Sequence, residues 1–190
     1  AGPYPAILQD AVVGDSARKV LADGQALLKK IIEGRWLQAH GVMGLYPANT
    51  VDDDVIEVYE DESRSKVLLR WAPLRMQSVR PVFDGPSGEK IQRPNRSLAD
   101  YIAPKGRQPD YIGLFAVTAG VGADKKAAQF EAAHDDYNAI MLKALADRLA
   151  EAFAERLHQR VRTEFWAYAA DERLSSEELI AEKYRGIRPA

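Results

Sequence analysis

Apolar positions recur along this chain with two periods, and each change of period marks a new element. From Asp15 or Ser16, both good helix N-caps, Val20, Leu21, Leu27, Leu28, Ile31 and Ile32 fall at roughly helical spacing, and Gly34 is a natural stop. This predicts a first helix. Ahead of it, Ala1-Gly2-Pro3-Tyr4-Pro5 is expected to be extended or turn-like, because proline restrains itself and the residue before it. The pattern then turns to strands. Residues 41–46 are mostly apolar and are expected to end at Pro47-Ala48-Asn49. Val55-Ile56-Glu57-Val58-Tyr59-Glu60 is rich in β-branched and aromatic types, Asp61-Glu62-Ser63 reads as a turn, and residues 66–71 read as the returning strand of an antiparallel hairpin. Residues 84–96 are polar and carry Gly85, Pro86, Gly88 and Pro94, so an exposed, mobile loop is expected.

The second half is more helical. Ser97 and Asp100 stand at capping-box spacing and predict a helical turn over 97–102. Tyr111, Ile112, Leu114, Phe115, Ala116 and Val117 make 110–118 the strongest candidate for a buried strand, broken by Ala119-Gly120-Val121-Gly122. A single long helix is expected over 124–160. Along it Met141, Leu145, Leu149, Phe153 and Leu157 form one apolar row, with Leu142, Ala146, Ala150 and Ala154 in a second row beside it. The alanines would let another element approach closely. Ser175 and Glu178 form a second capping box, predicting a short helix to about Tyr184 that Gly186 ends. Helices and strands do not alternate strictly, so the expected class is α+β, in one domain.

Composition narrows this picture little. Of 190 residues, 46% are hydrophobic and 28% charged, as in ordinary globular proteins, and the net charge of -2 offers no basic field for nucleic acid. The absence of cysteine removes disulfides, thiol nucleophiles and zinc–thiolate sites, and fits a reducing cytoplasm. No run approaches the roughly 18 apolar residues of a membrane span, and the first residues lack the features of a signal peptide.

Candidate chemistry is sparse. Residues 119–123, Ala-Gly-Val-Gly-Ala, lie between a strand and a helix, where phosphate loops occur. The third glycine of a dinucleotide fingerprint is missing, so a tight connection is the better reading, with room for close approach of a flat ligand. His134-Asp135-Asp136-Tyr137-Asn138 is a polar cluster in which only His134 and Asn138 would share a helical face, which favours an exposed band over a metal site. Asp52-Asp53-Asp54 lacks the alternation of a calcium loop and reads as a charged hairpin turn. Lys143, Asp147, Glu151 and Glu155 stand in one line on the long helix; spacing alone favours a solvated face with a Lys143–Asp147 pair over a functional carboxylate pair. The residues alone reach a soluble cytoplasmic α+β domain and stop there.

Several stretches carry a resemblance. They are Gly44-Leu45-Tyr46-Pro47-Ala48-Asn49; residues 110–118, Asp-Tyr-Ile-Gly-Leu-Phe-Ala-Val-Thr; residues 134–141, His-Asp-Asp-Tyr-Asn-Ala-Ile-Met; residues 143–153; and Tyr184-Arg185-Gly186-Ile187-Arg188-Pro189-Ala190. In order and separation they resemble the C-terminal activation domain of cobalamin-dependent methionine synthase, over essentially the whole chain. The resemblance implies a C-shaped α+β domain built around a twisted antiparallel sheet, with a long helix and shorter helices, incomplete here at both termini over 1–190. It implies binding of S-adenosylmethionine in a shallow groove. It also implies capping of cobalamin, held by a separate domain, during the reductive methylation that reactivates the enzyme after cob(I)alamin is oxidised to cob(II)alamin. Flavodoxin or an equivalent reductase would supply the electron, and zinc would belong to a separate homocysteine domain. The whole enzyme is a homocysteine methyltransferase of methionine biosynthesis, and this stretch alone is not expected to be catalytic. The alternative is a non-catalytic module that docks on a cobalamin domain or a flavodoxin-type reductase.

The same resemblance assigns residues. Arg188, with Pro189 and Ala190, begins the family's Arg-Pro-Ala-Pro-Gly-Tyr stretch; the arginine is expected on the substrate carboxylate and the backbone near Ala190 on the adenine. Glu151 matches a glutamate near the sulfonium or amino group. Asp147 matches an aspartate that meets the histidine leaving cobalt. An acidic residue expected after Gly122 is Ala123 here, with Asp124 next to it as a substitute contact to the cobalamin domain.

Overall fold

A computed structural model describes residues 4–78, 82–83, 90–91 and 94–186. The elements are α1 (Gly14–Gly34), β1 (Gln38–Val51), β2 (Val55–Tyr59), β3 (Val67–Trp71), β4 (Val82–Phe83), β5 (Lys90–Ile91), β6 (Asp110–Val121), α2 (Ala123–Ala132), α3 (Asp136–Arg160) and α4 (Ser176–Ile180). Four strands form an antiparallel sheet in the order β3-β2-β1-β6, and β4 pairs with β5 alone. The α+β class is therefore as expected. Packing divides the chain into two units, one of residues 1–42 and 116–190, the other of residues 43–115.

In the unit of 43–115, β1 runs straight through Pro47. Its ladder with β2 starts at Ala48, opposite Val58, so the proline costs no bond of that ladder. The turn at Asp52-Asp53-Asp54 is a charged hairpin, as expected, with Asp52 and Asp53 both at positive φ, a region short polar side chains tolerate. The β2–β3 hairpin is also as expected: Asp61 Oδ1 accepts hydrogen bonds from Ser63 N at 2.9 Å and Ser63 Oγ at 2.6 Å, which closes its turn. Ala48, Ile56, Val58 and Ala99 make the core, with Trp71, Ile102 and Ile112 against it. The capping box forms as the sequence predicts. Ser97 N donates to Asp100 Oδ2 at 2.9 Å, Ala99 N donates to Ser97 Oγ at 3.3 Å, and Leu98–Tyr101 make a 3-10 turn. The loop expected over 84–96 instead contains β5, and Arg75 Nη1 reaches Asn95 O at 2.7 Å; the remainder of that loop up to residue 93 lies outside the described residues.

In the other unit, α1, α2 and α3 pack together through Leu27, Ile31, Ala127, Ala139 and Leu142, with Trp36, Leu37, Phe130, Met141 and Leu145 half-buried beside them. Burying a leucine such as Leu142 contributes roughly 1.5–3 kcal/mol. The small residues do allow close approach. A Cβ on Gly24 of α1 would lie 3.5 Å from Met141 Sδ, and one on Gly120 of β6 would lie 3.8 Å from the Cβ of Ala146.

Four expectations are corrected. The long helix is two helices: His134 takes φ 58, which ends α2, and Asp135 starts α3 by accepting from Asn138 N at 3.1 Å. α1 starts earlier than expected, at Gly14 with Val13 as a cap that makes no side-chain hydrogen bond, so neither Asp15 nor Ser16 caps it; it ends at Gly34 as expected, ahead of a left-handed Arg35. α4 is shorter than expected, stopping at Ile180, although the box of Ser175 and Glu178 is present. The strand expected as the most buried, β6, is one of the two edge strands of the four and is half-exposed or exposed along its length except at Ala119. It also continues past Ala119-Gly120 to Val121.

Candidate ligand-binding site

The acidic line lies on the outer face of α3, where the four-residue step places each carboxylate one turn above the last. Its pairing differs from the expected one. Lys143 Nζ reaches Glu131 Oε1 of α2 at 3.1 Å, leaving Asp147 exposed and without an ion pair among the described residues. Glu151 is exposed too and pairs with Arg148 at 2.8 Å, an i,i+3 contact on the surface. Such pairs contribute little and exchange readily. Asp124 is exposed in the first turn of α2, where a carboxylate is favoured by the helix dipole. Gly122, ahead of it, has φ 99, and a Cβ there would come within 2.8 Å of Trp36 O. The close approach this glycine permits is thus to the chain's own backbone, in keeping with a tight connection.

A buried ionic cluster sits where α3 ends. Arg162 lies in a π turn (Val161–Phe165) and has no exposed surface. Its fork meets Glu172 twice, Nε to Oε2 at 2.8 Å and Nη2 to Oε1 at 2.7 Å. Its third nitrogen, Nη1, donates to His158 Nδ1 at 2.7 Å. A guanidinium can only donate, so His158 is neutral with its proton on Nε2. Burial, reinforced by the charge of Arg162, pushes the imidazole down to about 4. Over the other face of Arg162 lies Tyr184, with the guanidinium carbon 4.2 Å from the ring centroid, and His158 meets that ring edge-on at 5.3 Å.

Matches to known proteins show the family. The family model described as "Vitamin B12 dependent methionine synthase, activation domain" matches residues 1–190. The chain belongs to this activation-domain family. A crystal structure of the MetH reactivation domain bound to AdoHcy superposes with a TM-score of 0.85 at 52% sequence identity, covering 100% of this chain and 55% of that one. The chain thus spans about half the length (55%) of the crystallised protein it matches.

Within the activation domain the expected site residues fall into two groups. Arg188, Pro189 and Ala190 lie outside the described residues. Asp147 and Glu151 are brought together on α3, and Asp124 stands on the neighbouring helix. The His134 to Asn138 cluster is an interhelical cap, and among the described residues no group of three or more histidine, aspartate or glutamate side chains is placed to hold a metal. Sequence reasoning missed the Arg162 cluster. Its signal was a histidine and an arginine one helical turn apart, directly after the apolar rows of α3. No helix among the described residues is long and apolar enough to cross a membrane.

Proposed function

We propose that this chain binds S-adenosylmethionine and serves the reductive methylation that reactivates cobalamin-dependent methionine synthase, capping the cobalamin domain as it does so. The observation that carries this reading is the likeness, over the full chain, to a reactivation domain crystallised with AdoHcy, the demethylated form of S-adenosylmethionine. In this reading Arg188 receives the ligand carboxylate, since its planar fork donates two parallel hydrogen bonds, and the backbone at Pro189 and Ala190 addresses the adenine. Glu151 gives the sulfonium or ammonium a negative neighbour at the cost of a surface pair with Arg148 that contributes little. Asp147 and Asp124, exposed, face the cobalamin domain. The cobalamin held by that separate domain would supply the methyl-accepting centre, and a flavodoxin-type reductase would supply the electron. This chain's own residues bind, orient and shield.

Calorimetric titration with S-adenosylmethionine and AdoHcy tests the reading, on the 190-residue chain and on the same sequence extended to the length of the crystallised relative. Binding by either form supports it. In the form that binds, Arg188→Ala should weaken affinity at least about tenfold, the scale of a charged hydrogen bond of about 1.5–3 kcal/mol. Binding by neither form would reject it and favour a docking module without a ligand. Unchanged affinity in Arg188→Ala would remove that residue from the site.

A further inference from the structure

The outer face of α3 is divided along its length. At about 3.6 residues per turn, Ile140, Ala144, Asp147 and Glu151 fall in one strip, and Tyr137 borders it. The half nearer the start of the helix is apolar: Ile140 is 68% exposed, Tyr137 50%, and Ala144 is exposed as well. The other half carries the two carboxylates. A single exposed isoleucine is ordinary on a protein surface. One aligned between a half-exposed ring and a carboxylate that has no ion pair among the described residues forms part of a continuous patch.

The patch is ordered in advance. Tyr137 Oη donates to Asp23 Oδ2 of α1 at 2.9 Å, so the ring is held in place and its immobilisation adds little cost on contact. The cations that flank the strip are engaged elsewhere: Lys143 reaches Glu131 of α2 at 3.1 Å, and Arg148 reaches Glu151 at 2.8 Å. Neither takes Asp147. Ala144, between Ile140 and Asp147, has the smallest side chain of the strip and lets a partner come close to the helix.

Size limits what can cover such a patch. A stable protein interface buries about 800 Å² on each partner, a disc of roughly 16 Å radius. At about 1.5 Å per residue, Ile140 lies roughly 10 Å and Tyr137 roughly 15 Å from Asp147 along α3. A domain seated on Asp147 thus extends over the apolar half, whereas a small ligand at Asp147 does not.

We infer that Tyr137, Ile140 and Ala144 form the apolar part of the surface on which the cobalamin domain docks, with Asp147 at its polar end. This rests on the proposed capping of that domain. The chemistry of the patch asks its partner for an apolar projection set beside a cation or hydrogen-bond donor. The apolar half supplies affinity, and Asp147 supplies orientation and sensitivity to salt.

The test uses the whole cobalamin-loaded enzyme with S-adenosylmethionine and a chemical reductant, so that no reductase has to dock. Ile140→Ser removes the apolar group at nearly equal helix propensity. Ile32→Ser, at an isoleucine 66% exposed on α1, is the control. Reductive methylation should slow about tenfold in Ile140→Ser, the scale of leaving a largely exposed isoleucine unburied, and by the same factor at low and high salt. Ile32→Ser should match the wild type. In both variants the affinity for S-adenosylmethionine, the melting temperature and ordinary methyl transfer to homocysteine should stay as in the wild type. Reactivation of Ile140→Ser at the wild-type rate overturns the docking surface and leaves the proposed function standing. Equal slowing in Ile32→Ser, or a parallel loss of S-adenosylmethionine affinity in Ile140→Ser, also overturns it, because the effect then lies outside docking. Failure of the wild-type enzyme to be reactivated rejects the proposed function, and the docking surface falls with it.

Discussion

Two buried ionisable side chains make opposite use of the same burial. Glu57, 1% exposed on β2, receives hydrogen bonds from Lys105 Nζ at 2.8 Å, Tyr59 Oη at 3.0 Å and Arg70 Nη2 at 2.5 Å. The bond from Lys105 does most to hold its carboxyl at about 2, against the opposing effect of burial. His158 has one cationic neighbour and stays neutral, down at about 4. Both shifts are downward, so in both cases the unfolded chain binds more protons and stability rises with pH across the interval. Stability linked to His158 is complete above about 6.5 and is lost as pH falls to about 4; that linked to Glu57 is complete above about 4.5 and is lost toward about 2. Urea melts taken from pH 7 to pH 3 should therefore show a decline in two stages. His158→Gln, whose amide oxygen can still accept from Arg162, should remove the upper stage, and Glu57→Gln should shrink the lower one, to which Asp100, also held at about 2 by Arg75, contributes. A single stage unaffected by His158→Gln would show that the imidazole is not held neutral. Neither side chain announces this in the sequence, where Glu57 reads as one polar position in an apolar strand and His158 as one polar residue near the end of a helix. The donors that hold Glu57 come from β2, β3 and the segment after the 3-10 turn, and only folding collects them.

At the scale of elements, local chemistry was legible wherever one side chain could satisfy the backbone by itself. The boxes at Ser97 and Ser175 and the Asp61 turn are such cases, and each forms as read. The break between α2 and α3 was legible by the same rule but was outweighed by the apolar period on either side of it. Asp135 accepts from both the backbone and the side chain of Asn138, at 3.1 Å and 2.7 Å. This N-cap lets α3 begin at a new angle after the left-handed His134. Asp135→Ala should destabilise the chain by about 0.5–2 kcal/mol, read as a lower midpoint in urea with an unchanged slope. Asp135→Asn should cost only a few tenths, since asparagine caps nearly as well. An alanine variant as stable as the wild type would mean that packing, not the cap, places the start of α3. Burial of strands was the least legible property. Residues 110–118 look like an interior strand, yet β6 is one of the two edge strands of the four, and an apolar run does not tell on which sides it will be covered.

For the whole molecule, the exposed carboxylates gain meaning only from what docks on them. Asp147 has lost its expected lysine to Glu131 and stands unpaired among the described residues, on the same face as Glu151. If this face meets the cobalamin domain, Asp147→Lys should weaken association with that domain severalfold at low salt and flatten its salt dependence, with the melting temperature nearly unchanged. Equal association at all salt concentrations would move the docking surface elsewhere. The sequence by itself determined the α+β class, the two hairpin turns, the caps at Ser97 and Ser175, the two apolar rows of α3 and, through long ordered matches, the family. These depend on neighbours a few residues apart or on strings of residues that can be compared directly. Tertiary structure alone decided which strands lie at the edges, that Lys143 turns to α2, and that Arg162, Glu172, His158 and Tyr184 close into one buried cluster. Those outcomes depend on which distant groups meet once water is excluded. There, the cost of leaving a charge unpaired selects the partner, and neither spacing nor composition encodes that cost.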